Sequence, residues 1–173
     1  MTRGLGSLLV ATDRGIRVAE LALSAAPRPT PTWWAHDCAC AWTAAWLTVR
    51  RAEWRGPREV LADPRLTGKL EWQTRTGWRR SAHRPDLTIA IPDGQVMVEV
   101  ELQRKDTKRL AAILSMYRSW MDESRIAGVV YVCGSEPRAD RVRAVSLEAG
   151  LPARATRIEL LDTIREQTTE AAA

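Results

Sequence analysis

Between Pro85 and Leu102 the chain alternates twice about one turn. Leu87, Ile89 and Ile91 share one parity and Asp86, Thr88 and Ala90 the other. Pro92-Asp93-Gly94-Gln95 follows, and then Val96, Val98, Val100 and Leu102 alternate with Met97, Glu99, Glu101 and Gln103. A period of two marks a strand, and Asp-Gly between two such runs marks a hairpin. The pattern also places charge. Asp86 opens the first strand directly after a proline, and Glu99 and Glu101 share one face of the second.

The rest of the chain tells what this hairpin sits in. Asp106 or Thr107 caps a helix to about Asp122, with Leu110, Ile113, Leu114, Tyr117 and Met121 as its apolar stripe. Ala127–Cys133 is a continuous apolar strand of the kind buried on both faces. Ser135-Glu136-Pro137 starts another helix, which Gly150 ends, and Arg154–Leu161 reads as an edge strand. Upstream, a helix runs from about Thr32 to Arg51, with Trp34, Cys38, Ala41, Trp42, Ala45 and Trp46 toward the core. With eight Trp and no Phe, tryptophan carries most of the aromatic core. Glu53–Leu61 reads as a short strand broken at Gly56-Pro57, and Asp63–Ser81 as a long polar loop. A hairpin followed by strand–helix–strand crossovers gives an α/β fold with a mixed sheet of about five strands flanked by helices. The expected organisation is a strand–turn–helix piece at 1–25, a stiff Pro-rich linker at 26–31, the α/β domain at 32–165 and a tail at 166–173.

Composition narrows the partners. The net charge is +5 and the sequence pI about 9.6. From Arg50 to Arg84 there are ten Lys or Arg against four acids. Such a segment beside an acidic site suits a polyanion, although a solvated basic face gives the same count. Arg75, Arg79, Arg80 and Arg84, with Trp78, are the candidate nucleic-acid contacts. No window approaches a membrane span and no signal peptide is visible, so no membrane partner is expected. Three cysteines without a disulfide spacing fit a reducing cytoplasm. His36-x-Cys38-x-Cys40 invites zinc, but a helix turns Cys38 away from the His36/Cys40 face and no second ligand pair exists.

The carboxylates suggest the chemistry. Hydrolysis of a phosphodiester needs an activated water and neutralisation of the phosphoryl oxygens, and a divalent ion supplies both. Mg²⁺ takes hard oxygen ligands, typically one or two carboxylates. Asp86 and Glu99 are the natural pair, with Glu101 on the Glu99 face. An exposed polar strand face would produce the same pattern.

The element order, with His83-Arg84-Pro85-Asp86, then Val98-Glu99-Val100-Glu101-Leu102, then Val129-Val130-Tyr131-Val132-Cys133, resembles the PD-(D/E)xK nuclease superfamily. More narrowly it resembles the replication-relaxation family of actinobacterial mobile elements, over roughly residues 31–160. The resemblance implies a nuclease-like core, a winged-helix remnant at the N-terminus, Mg²⁺ or Mn²⁺, and DNA as partner. It implies Asp86 and Glu99 as metal ligands, the Val100 carbonyl as a third, and a lysine two residues after Glu99. Glu101 stands there instead. Lys105 or Lys108 would then reach back, Gln103 would position a water, Glu101 would add a ligand, and His36 would be a general base.

Three readings follow. The leading one is a DNA-binding protein cleaving phosphodiesters with Mg²⁺ in plasmid or mobile-element replication or transfer, its catalytic residues Asp86, Glu99, Glu101 and Lys105. The second is a non-catalytic DNA-binding or assembly factor of the same fold. The third is a protein-interaction module, as a homodimer or with a replication or transfer protein.

Overall fold

The computed structural model describes residues 13–18, 31–103 and 105–173. Helix α1 (Asp13–Val18) lies within the expected strand–turn–helix piece. The proposed strand at Leu8–Val10 and most of the linker lie outside the described residues. Then follow α2 (Pro31–Val49), β1 (Glu53–Arg55), α3 (Pro57–Ala62), β2 (Gly68–Thr74), β3 (Gly77–His83), β4 (Leu87–Ile91) and β5 (Gly94–Glu101). The chain continues with α4 (Thr107–Asp122), β6 (Gly128–Cys133), α5 (Glu136–Glu148), β7 (Thr156–Leu160) and α6 (Leu161–Ala171).

Five strands form a mixed sheet in the order β1-β4-β5-β6-β7. β1, β4 and β5 run antiparallel in turn, while β5, β6 and β7 are parallel. The crossovers β5-α4-β6 and β6-α5-β7 step in the same direction. Crossovers of one hand therefore put α4 and α5 on the same face. The opposite face is covered by α2 and by α6, which leaves the last strand on the other side. β6 alternates between the two cores: Val129, Tyr131 and Cys133 face α4 and α5, and Val130 and Val132 face α2 and α6. β5 does the same with Met97 on one side and Val98 and Val100 on the other. Glu99 and Glu101, which share the parity of Met97, therefore point to the α4 side.

Four regions differ from the sequence reading. Pro57 opens a helix where a strand was expected, and the Glu59 carboxylate accepts from the Gly56 N–H at 2.8 Å to cap it. The expected loop at Asp63–Ser81 is a short 3₁₀ turn (Pro64–Leu66) and a two-stranded hairpin, β2–β3, that pairs from Gly68↔His83 to Thr74↔Gly77. Only Leu70 and Trp72 of that hairpin pack against the core, so its alternation is thin, and Gly77 supplies the positive φ of +121° at the turn. On α2, Cys38 and Trp46 are buried as expected, but Ala41 and Trp34 are exposed, and Ala39, Cys40, Thr43 and Leu47 complete the buried stripe. That stripe sits between the sheet and α6. The expected tail at 166–173 is mostly α6, tied down by Trp46 Nε1 and Arg50, which donate to Gln167 Oε1 at 3.0 and 2.8 Å. Among the described residues no helix is long and apolar enough to cross a membrane.

Gly128 begins β6 where the chain before β7 comes closest. A Cβ there would lie 2.6 Å from the Ala155 carbonyl oxygen, which is backbone and cannot swing aside. Gly128→Ala should cost about 1–3 kcal/mol as an overpacking change. Thermal unfolding followed by circular dichroism should show the fall; an unchanged midpoint would contradict this packing.

Candidate active site

The site forms where β4 stops short of β5. The ladder between them ends with Leu87↔Val98, whereas β5 continues beside β6 to Glu101↔Cys133. Asp86 occupies the gap. Its backbone N–H donates to the Val98 carbonyl at 2.9 Å, and its Oδ2 accepts from the Val100 N–H at 2.7 Å. The side chain thus takes the place of the next backbone acceptor in the ladder, which fixes its orientation. Asp86 Oδ1 accepts from His36 Nε2 of α2 at 3.0 Å. That hydrogen bond raises His36 above its ordinary 6.5, against the lowering from partial burial. Trp33, one turn earlier on α2, stands edge-on to the His36 ring at 6.2 Å and is exposed.

Glu99 lies on the other side of β5, only 1% exposed. His83, the last residue of β3, donates from Nε2 to Glu99 Oε1 at 2.7 Å, and the Tyr117 hydroxyl of α4 donates to the same oxygen. Burial raises the Glu99 carboxyl, but His83, Lys105 and Tyr117 together outweigh it and hold the group below the ordinary carboxylate value. Lys105 follows β5 and turns back over it. Its Nζ pairs with Glu101 Oε2 and lies 3.9 Å from Glu99 Oε2. Burial lowers the ammonium, yet Glu99, Glu101 and then Asp86 raise it further. Arg141 of α5 donates to the Lys105 carbonyl at 2.7 Å and to Thr107 Oγ1 at 2.8 Å, which pins the segment that carries the lysine. Asp106 Oδ1 accepts from the Lys108 N–H at 2.7 Å and caps α4.

The structure therefore brings together Asp86, Glu99, Glu101, Lys105, His36 and the Val100 peptide. Gln103 is exposed, and Lys108 is exposed at the start of α4, with only its backbone held by the cap. Arg75, Trp78, Arg79 and Arg80 lie on the β2–β3 hairpin, away from the carboxylates, and Arg84 is bonded to Thr67 at 2.8 Å. Two partners carried no role in the sequence reading. His83 stood in the Pro-Asp stretch without an assignment, and Tyr117 was read as core. A single hydroxyl in an otherwise aliphatic and aromatic stripe was the available signal, since a buried Tyr hydroxyl seeks a partner.

Two donor sets can be tested against a metal. His36, Cys40 and Asp86 place ligand atoms within 4.8 Å of one another. A soft ion would take the Cys40 sulfur, whose thiol burial pushes well up in the metal-free protein. The second set, the oxygens of Asp86 and Glu99 with the Val100 carbonyl, is of the chemical kind a hard ion takes. Glu99 Oε2 has Lys105 only at 3.9 Å, and strand geometry sends the Val100 carbonyl to the same side as its N–H, toward Asp86.

No protein-family model matches the chain, and no curated protein matches it; neither comparison supports the replication-relaxation family. Among solved structures the chain is similar to the small subunit (R.BspD6I2) of the heterodimeric restriction endonuclease R.BspD6I. The identity is 11% and the TM-score 0.34, with 73% of this chain and 66% of that one covered. A likeness at that TM-score carries no argument about this chain's chemistry.

Two predictions follow from the buried charges. Glu99 is held below its ordinary 4.5 in the folded state, so its contribution to stability is present above that pH and is lost as pH falls through the folded value. Urea midpoints should therefore drop on the acid side of pH 4.5, with a shallower drop in Glu99→Gln; parallel curves would remove the coupling. Lys105→Met leaves Glu99 and Glu101 buried without their cation and should destabilise by about 3–5 kcal/mol. Lys105→Met/Glu101→Gln should recover part of that loss, and strict additivity in the cycle would show that the pair is not coupled.

Proposed function

We propose that this chain hydrolyses DNA phosphodiester bonds with Mg²⁺ or Mn²⁺ at Asp86 and Glu99. The observation that carries the reading is Lys105: an ammonium folded back onto Glu99 and Glu101, where Glu101 has taken the position expected of a lysine. Asp86, Glu99 and the Val100 carbonyl would hold the ion. When bound, it would supply charge neutralisation and an activated water.

The chain's own residues have distinct tasks in this reading. Asp86 is locked by the Val100 N–H and His36, and Glu99 by His83 and Tyr117, so both carboxylates are oriented before a ligand arrives. Lys105 is one-fifth exposed and offers positive charge to a phosphoryl oxygen at the rim. Glu101 anchors Lys105 and keeps it charged rather than acting on substrate. The basic β2–β3 hairpin, which ends at His83 in the site, supports DNA as the substrate.

One observation favours the non-catalytic reading. Glu99 is fully buried, and two donors already share one of its oxygens. The experiment is nicking of supercoiled plasmid in Mg²⁺ or Mn²⁺ by wild type, Asp86→Asn and Glu99→Gln. Each substitution should reduce cleavage by about 100-fold or more. Equal nicking by all three identifies a contaminant and sinks the assignment. A wild type that binds DNA in a salt-dependent way but cleaves in neither metal selects the non-catalytic factor.

A further inference from the structure

We propose that the outer face of the β2–β3 hairpin binds a single-stranded stretch of DNA, with Trp78 stacking on an unpaired base. This deepens the reading above and rests on it for the identity of the polymer.

The cross-strand register assigns the faces. Gln73↔Trp78, Glu71↔Arg80 and Lys69↔Ala82 are directly opposed pairs and share the outer face, while Leu70 and Trp72 turn inward to the core under α4. Trp78 is 67% exposed, the most exposed tryptophan among the described residues. Its neighbours along the hairpin are cationic. The register puts Lys69 and Arg80 on this face and Arg75 at its turn, while Arg79, opposite Trp72, has the inner parity; Glu71 is the single acid in residues 68–84. Glu71 holds the Arg80 guanidinium at 2.6 Å, both groups being open to solvent. A protein partner would demand an interface centre depleted of charge, which this face is not. A nucleic-acid strand matches both features: arginine for phosphates, indole for the π-face of a base.

The choice of single strand follows from the same indole. In a duplex both faces of each base are covered by neighbours, so stacking on Trp78 would require prying a step apart. An unpaired base has no such cost. The hairpin also sets a distance. Five residues separate Trp78 from His83 along β3, about 17 Å at strand rise. The stacked base would therefore sit about 17 Å from the end of the hairpin at which His83 bonds Glu99.

The test uses the whole protein in EDTA, so that no cleavage enters the readout. Fluorescence anisotropy follows binding of a labelled ~15-nucleotide oligothymidylate and of a duplex of equal length. Wild type should prefer the single strand. Trp78→Ala should weaken that binding by about 5- to 100-fold, and Trp78→Phe should restore most of it. Arg75→Gln should lower the slope of log affinity against log salt by about 0.7. Single-strand binding unchanged in Trp78→Ala, a preference for duplex that Trp78 does not affect, or a loss that Phe fails to repair each overturns the proposal. So does a Trp78-dependent self-association with DNA binding intact. Intact Trp78-dependent binding with no cleavage in any metal removes the nuclease alone. Carboxylate-dependent cleavage by a protein whose Trp78→Ala variant binds normally removes the hairpin alone.

Discussion

Glu99 and Glu101 point from β5 into the face that α4 must cover, and two carboxylates cannot enter such a layer without a cation. Lys105 meets that demand from only four residues beyond Glu101. Bringing two acids and an ammonium out of water costs several kcal/mol per ion, and their mutual attraction recovers it only with good geometry. The geometry is supplied by the surroundings. Arg141 fixes the backbone of Lys105, Asp106 caps the helix that follows, and His83 and Tyr117 occupy Glu99 Oε1. Elements far apart in sequence (β3, α4 and α5) thus converge on one charge cluster, and the packing of each depends on it.

Asp86 is held by a different logic. Its carboxylate completes a hydrogen-bond ladder that lacks a neighbouring strand, and so it is fixed by backbone geometry together with the His36 imidazole. The two acids are consequently unequal. Glu99 is sealed, whereas Asp86 stays about one-fifth exposed and faces α2 through His36. Any ligand entering the site meets Asp86, His36 and Lys105 first and Glu99 last.

The β4–β5 hairpin, the two crossovers and both faces of β5 were legible in the sequence because their alternation is strong and their turn is marked by Asp93-Gly94. The reach of Lys105 was legible as one of two options, beside Lys108, once Glu101 occupied the expected position. The β2–β3 hairpin was not legible, because Glu71, Gln73 and Arg80 make it polar on its solvent side, Arg79 interrupts its inner side, and only Leu70 and Trp72 betray that side. α6 was missed for a related reason: its polar Gln167 is held by Trp46 and Arg50, far away in the chain. The roles of His83 and Tyr117 needed three-dimensional proximity that no linear spacing encodes.

The short turn between β4 and β5 carries more than a change of direction. Side chains of a strand alternate strictly, so the residue count through Pro92–Gly94 decides which face each carboxylate of β5 enters. One residue added or removed there, with β4 held in place, would exchange Glu99 and Glu101 for Val98 and Val100. Two acids would then be driven among Cys40, Leu161 and Ile164, with Lys105 stranded on the opposite side. The parity of that turn is therefore a condition on the whole charge cluster, and length variation in this chain is tolerable there only in steps of two.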